Sequence, residues 1–115
     1  MSTPAGRATL DPIIVAAASH TCILDNDQVR VIDVRVPPGG KVPMHSHDTC
    51  YLVYALTPAR IRFSFPDGTS KVVEAKIGDV AWRDPETHSA ENVGTEEYHV
   101  LNLEFKQASG KQKAA

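Results

Sequence analysis

Two histidines stand two residues apart, His45 and His47, at the end of the run Gly39-Gly40-Lys41-Val42-Pro43-Met44-His45-Ser46-His47. On an extended strand, residues i and i+2 share a face, so both imidazoles project the same way. A third imidazole, His88, arrives much later in the chain, after Gly78-Asp79-Val80-Ala81-Trp82. Three such nitrogens meeting at one point form a facial donor set. That set leaves other positions of a divalent ion open to water or substrate, as a catalytic metal site requires.

Distant strands must bring these residues together, and the chain reads as strands. Val29, Val31, Asp33 and Arg35 alternate with Arg30, Ile32, Val34 and Val36, until Pro37-Pro38-Gly39-Gly40 stops the run. Extended segments resume over residues 42–47 and 51–56, and Arg60, Arg62 and Ser64 alternate with Ile61, Phe63 and Phe65. Pro66-Asp67-Gly68 is a tight turn, in which Pro presets the first φ and Gly accepts a positive one. Residues 71–75, 80–82 and 98–105 supply further strands, with turns at Gly78-Asp79 and Val93-Gly94. Short strands with turn signals about every ten residues, and no sustained 3.6-residue apolar period, predict an all-β sandwich or barrel.

Residues 1–20, with Pro4, Gly6 and Pro12 and no period, read as a flexible N-terminal arm. Residues 21–106 form the β-domain, and the small, polar residues 107–115 read as a disordered tail. The 115 residues suffice for one domain. A domain this size buries a modest share of its surface, so a second copy is a natural partner. The net charge of −2 and the scattered basic residues point away from nucleic acid, and no run is long enough to span a membrane. The two cysteines, Cys22 and Cys50, make no framework; free thiols in the cytoplasm are the expectation.

Laid out together, these residues resemble the cupin superfamily, whose first motif reads G-x5-H-x-H-x3,4-E-x6-G. Gly39, His45 and His47 match it, and Gly78, Asp79, His88 and Asn92 match the second motif. The resemblance covers about residues 26–105. It implies a small antiparallel β-barrel of the double-stranded β-helix (jelly-roll) type, usually dimeric, with a divalent metal on His45, His47 and His88. Two features depart from the pattern. The family glutamate falls near Tyr51, where no carboxylate stands, and Pro58 lies near the place of the closing glycine.

Tyr51 is in phase with the histidines, and its unperturbed pKa near ~10 favours a neutral hydroxyl at a divalent ion. It reads as a wall or hydrogen-bonding neighbour of the site more than as a ligand. Trp82 is a candidate pocket wall, with core or subunit interface as the plainer role. His99 shares phase with Leu101, Leu103 and Phe105 and reads as a core or rim histidine within reach of the pocket, whereas His20 reads as solvent-exposed. Asp48 is a candidate for orienting one of the histidines. Glu86, Glu96 and Glu97 read as solvated turn charges.

The function expected is a mononuclear metal enzyme acting on a small organic molecule, dioxygenase-like. Iron is expected first because nitrogen ligation with vacant positions suits Fe(II), and Mn, Ni or Zn would serve isomerase or lyase chemistry. A non-catalytic cupin that binds or senses a small molecule is the alternative, and a structural barrel acting through its dimer surface is the third reading.

Overall fold

The computed structural model describes residues 10–106, so the 107–115 tail and the first nine residues of the expected arm lie outside the described residues. One short helix, α1 (Pro12–Val15), precedes the strands β1 (His20–Asp25), β2 (Val29–Val36), β3 (Lys41–His47), β4 (Tyr51–Ala55), β5 (Ala59–Ser64), β6 (Ser70–Ala75), β7 (Val80–Arg83), β8 (Glu86–Asn92) and β9 (Tyr98–Phe105). They build two antiparallel sheets, of order β1-β2-β9-β4-β7 and β3-β8-β5-β6. This is the all-β, jelly-roll class expected from the sequence. The ladders of the two sheets do not join, so the expected barrel takes the form of a sandwich.

The turns follow the sequence signals. Gly68 takes φ +90°, and Asp67 Oδ1 accepts from Thr69 N at 2.9 Å, closing the β5–β6 hairpin. At the entry to β3, a Cβ on Gly40 would lie 2.9 Å from Pro37 O, closer than any side chain tolerates. Gly39 N donates to Asn92 O and Asn92 N to Gly40 O, both at 2.9 Å, so the start of β3 is clamped to the end of β8.

Ile32, Val34, Val36, Val42, Ala55, Ile61, Phe63, Tyr98 and Val100 fill the space between the sheets. Along β9, Tyr98, Val100, Asn102 and Glu104 face inward, and His99, Leu101, Leu103 and Phe105 face out. β3 carries the irregularity that matters. Val42 pairs with Ala90 and His45 with His88, so three steps on β3 match two on β8. This bulge at Pro43 and Met44 flips the facing parity, which puts Val42, His45 and His47 all on the inner side. Pro43, which has no N–H to offer a ladder, sits where none is needed.

Two expectations for the N-terminal segment need correction. Asp11 caps α1 by accepting from Ile13 N at 3.2 Å, and Pro12 and Ala16 are buried. His20 is the first residue of β1 and is only 5% exposed. Helix α1 is too short to show a period, so composition alone made this stretch look loose.

The outer face of the five-stranded sheet is apolar. Leu24, Val31, Leu103, Leu52 and Trp82 pair in register across β1, β2, β9, β4 and β7. Trp82 is 58% exposed and stacks on Phe105, with ring centroids 5.8 Å apart.

Candidate metal centre

His45 and His47 come from β3 and His88 from β8, its neighbour in the same sheet. All three are at most 3% exposed, and one ligating atom from each lies within 4.8 Å of the others. Their ring centroids are 4.9, 4.8 and 5.2 Å apart. Imidazoles held at about 2.0–2.1 Å on one ion at tetrahedral or octahedral angles would place their centroids about 4.5–5.2 Å apart. The ring spacing therefore matches that of three imidazoles on a single ion.

Each ring is oriented from behind. His45 Nδ1 donates to Pro43 O at 2.7 Å, which leaves Nε2 as its bare lone pair. His47 Nδ1 lies 3.3 Å from Glu104 Oε2, and Arg30 Nε donates to Glu104 Oε1 at 2.8 Å. His88 Nδ1 lies 3.3 Å from Glu86 Oε2, and Arg83 pairs with that oxygen at 2.6 Å. Two of the three histidines thus back onto a glutamate–arginine pair, the arrangement that raises ligand basicity at metal sites. The His88–Glu86 approach is off the line of a hydrogen bond. It leaves His88 Nδ1 buried without a partner, the one such side-chain atom among the described residues. A buried nitrogen left without a hydrogen bond is costly, and the Glu86 carboxylate is the polar group that faces it.

Burial keeps His45 and His88 neutral. Desolvation pushes the His45 imidazolium down to about 3, and its histidine neighbours add to the effect. Desolvation lowers His88 as well, against the pull of Glu86. Neutral imidazoles are the ligating form, so the site needs no proton release from these two residues.

Tyr51 stacks on His47 at 4.1 Å with the rings 21° apart, and its hydroxyl donates to Glu86 Oε2 at 2.7 Å. Burial and that bond raise its pKa far above the ordinary value, so it is a neutral phenol that walls the site. Burial alone would raise Glu86, but His88, Tyr51 and Arg83 around it hold the carboxyl at about 2. Phe63 stacks on His88 at 4.7 Å and carries the Arg83 guanidinium over its ring, also at 4.7 Å.

Two other candidates do not reach the pocket. Trp82 lies on the outer face because β7 turns Ala81 and Arg83 inward. His99 is outward on β9 and bonds Asp33 Oδ1 at 2.8 Å. Its apolar phase-mates belong to the outer sheet face, so the period was right and the side inverted. Asp48 is exposed, and the carboxylates beside the histidines are Glu86 and Glu104 instead. Sequence reasoning passed over Glu104, Arg30 and Arg83. The alternation of β9 puts Glu104 in phase with Tyr98, Val100 and Asn102, but it does not say that this phase faces in.

His20 is a fourth imidazole in the cavity, its ring 5.3 Å from His45 and outside the 4.8 Å set. Desolvation, with His47 adding to it, brings its pKa to about 4. The cavity at the trio is about 30 Å³, room for an ion and one or two small ligand atoms. An apolar cavity of about 60 Å³ adjoins it, and Val53, Ile61, Phe63, Arg83 and Tyr98 line both. A larger cleft, about 580 Å³, is elsewhere, an open furrow along Arg60, Glu74, Lys76 and Glu96. The ligating chemistry sits at the small one.

No protein-family model matches the chain, and no curated protein matches it in sequence. Solved structures do match. A cupin domain from Bordetella pertussis Tohama I is 28% identical, over 76% of this chain and 92% of its own, with a TM-score of 0.71. An RmlC-like cupin family protein with a double-stranded β-helix fold, from Methanocaldococcus jannaschii, is 11% identical over 84% of each chain, with a TM-score of 0.61. The polyketide cyclase RemF from Streptomyces resistomycificus is 20% identical over 76% of this chain and 64% of its own, with a TM-score of 0.57. The last two are likenesses of fold alone. A shared double-stranded β-helix, with both histidine motifs facing one another inside it, makes this chain a member of the cupin superfamily.

Proposed function

We propose that this cupin is a mononuclear metal enzyme acting on a small organic molecule, with His45, His47 and His88 as ligands and iron as the metal. The observation that carries the reading is the convergence of three buried imidazoles whose rings already stand at the spacing one ion needs. When bound, such an ion supplies Lewis-acid and, as iron, dioxygen chemistry at its open positions; Mn, Ni or Zn would turn the site toward isomerase or lyase work. The chain's own residues do the rest. Tyr51 and Phe63 hold two of the ligand rings face-on. Val53, Ile61 and Tyr98 keep water out of the neighbouring cavity. Arg83, at the junction of the two cavities, offers a cation to an anionic oxygen of the substrate.

Elemental analysis of purified protein beside a His45→Ala/His88→Ala variant tests the site. One equivalent of metal, lost in the variant, is the expected result, followed by metal-dependent oxygen uptake with a substrate panel. Little metal in either protein after reloading would remove the proposal.

A binding or sensing cupin is the second reading, favoured by the small cavity and by carboxylates that are both tied to arginines. Metal without turnover of any substrate would select it. We further propose a second copy of the chain as partner, seated on the apolar outer face. Beside it Asp33 and Arg35 pair with each other at 2.9 Å, so these two residues leave no net charge to repel a symmetry mate. The two free thiols suit a reducing compartment, and we assign the protein to the cytoplasm. Among the described residues, no helix is long and apolar enough to cross a membrane.

A further inference from the structure

Two chains of hydrogen bonds run from the N-terminal segment to the site. In one, Asp11 takes a two-pronged bond from Arg30, Nη1 to Oδ2 at 3.1 Å and Nη2 to Oδ1 at 3.0 Å. Arg30 Nε binds Glu104 Oε1 at 2.8 Å, and Glu104 Oε2 faces His47 Nδ1 at 3.3 Å. In the other, Ser19 Oγ donates to Ala16 O at 3.2 Å, which commits its proton. His20 Nδ1, 2.8 Å away, must then be the donor to Ser19 Oγ. That fixes the tautomer and leaves the His20 Nε2 lone pair bare, in a ring that tilts against His45 and lines the same cavity.

We propose that the segment 10–20 is a working part of the metal centre, with Asp11 a positioning residue for His47 through Arg30 and Glu104, so that docking of this segment and metal binding strengthen one another. The inference rests on the metal reading of the trio. An ion at His47 Nε2 draws charge from the ring and makes Nδ1–H a stronger donor to Glu104. At 3.3 Å that contact is longer than the about 2.7–2.9 Å of a strong charge-assisted bond, so it has room to strengthen. A firmer Glu104 holds Arg30, and Arg30 holds the residue that caps α1. Coupling of this kind is reciprocal: whatever the ion gives the segment, the segment returns to the ion.

The test uses Co(II) as the probe on the full chain. Asp11→Asn keeps an N-capping side chain for Ile13 but loses the charge that pairs with Arg30. It is expected to bind Co(II) about tenfold more weakly and to shift the visible Co(II) bands, as loss of an orienting partner does. Ile14→Ala, on the exposed face of the same helix, leaves affinity and spectrum unchanged. In the wild type, Co(II) slows amide exchange over residues 10–20. Wild-type affinity in Asp11→Asn, an equal loss in Ile14→Ala, or exchange unaltered by Co(II) each overturns the coupling while leaving the three-histidine site intact. A wild type that takes up no Co(II) overturns the metal reading, and this inference with it.

Discussion

The Tyr51 hydroxyl donates to Glu86 Oε2 at 2.7 Å. Tyr51 stands near the position where the cupin pattern carries its glutamate, and here a phenol reaches across to hold a carboxylate from the facing sheet. The negative charge is kept near the histidines but moved behind His88, where Arg83 balances it.

Tyr51→Phe keeps the stack on His47 and removes the donor to a partly buried carboxylate. Loss of a hydrogen bond to a charged group predicts destabilisation of about 1–3 kcal/mol, with metal stoichiometry unchanged. Urea unfolding and elemental analysis on the same sample check both. Metal lost at unchanged stability would make Tyr51 a ligand.

The metal-free protein weakens in acid. Folded His45 and His20 stay neutral down to about 3 and about 4, whereas unfolded histidine takes a proton near 6.5. Below 6.5 the unfolded chain binds more protons than the folded one, so this contribution is full above pH 6.5 and is lost as the pH falls toward 4. A tenfold difference in proton affinity between the two states is worth about 1.4 kcal/mol, so the combined effect is on the order of a few kcal/mol. Urea midpoints measured from pH 7.5 to 4.5 should fall steadily, and His20→Gln should flatten the slope. A flat wild-type profile would contradict the burial argument.

Chelation lowers thermal stability. A ligand at a thousand times its dissociation constant stabilises the folded form by about 4 kcal/mol. Calorimetry of metal-loaded and chelator-treated protein should therefore differ by several degrees, and the difference should vanish in His88→Ala.

Asn92 is a structural pin, although it matches the second motif. Its Nδ2 donates to Val36 O at 2.9 Å and Glu96 O at 2.8 Å, and its Oδ1 accepts from Gly94 N at 2.9 Å. Asn92→Ala strands these groups at a site 1% exposed, which predicts a loss of about 2–4 kcal/mol. Equal denaturation midpoints for variant and parent would refute the assignment.

If a second copy covers the outer sheet, Trp82→Glu places a charge in the middle of that contact. Light scattering should show a dimer for the parent and a monomer for the variant, with unchanged metal content. A monomeric parent at high concentration would dispose of the proposed partner.

The sequence showed its strands and turns plainly because alternation and Pro/Gly chemistry are local. The three site histidines were legible through motif spacing. What stayed hidden is the choice of side. Alternation along β9 separates His99, Leu101 and Leu103 from Tyr98, Asn102 and Glu104 without saying which set faces in, and here the more polar set does. Glu104 is invisible as a site residue because its partner His47 is far away in sequence, whereas Glu86, two residues from His88, is hidden because its stretch reads as a turn although it begins β8. His20 was missed because its burial depends on a helix of a single turn.

The extra residue at Pro43 and Met44 has a genetic corollary. Only that one-residue offset turns His45 and His47 inward after Val42. Deleting one codon between Val42 and His45 removes the extra residue, and strict alternation from the inward Val42 then still points both imidazoles inward. A substitution at the exposed Met44 keeps the count and leaves them in place. An in-frame single-codon deletion there should therefore keep both histidines facing the cavity, on a ladder that runs without a bulge.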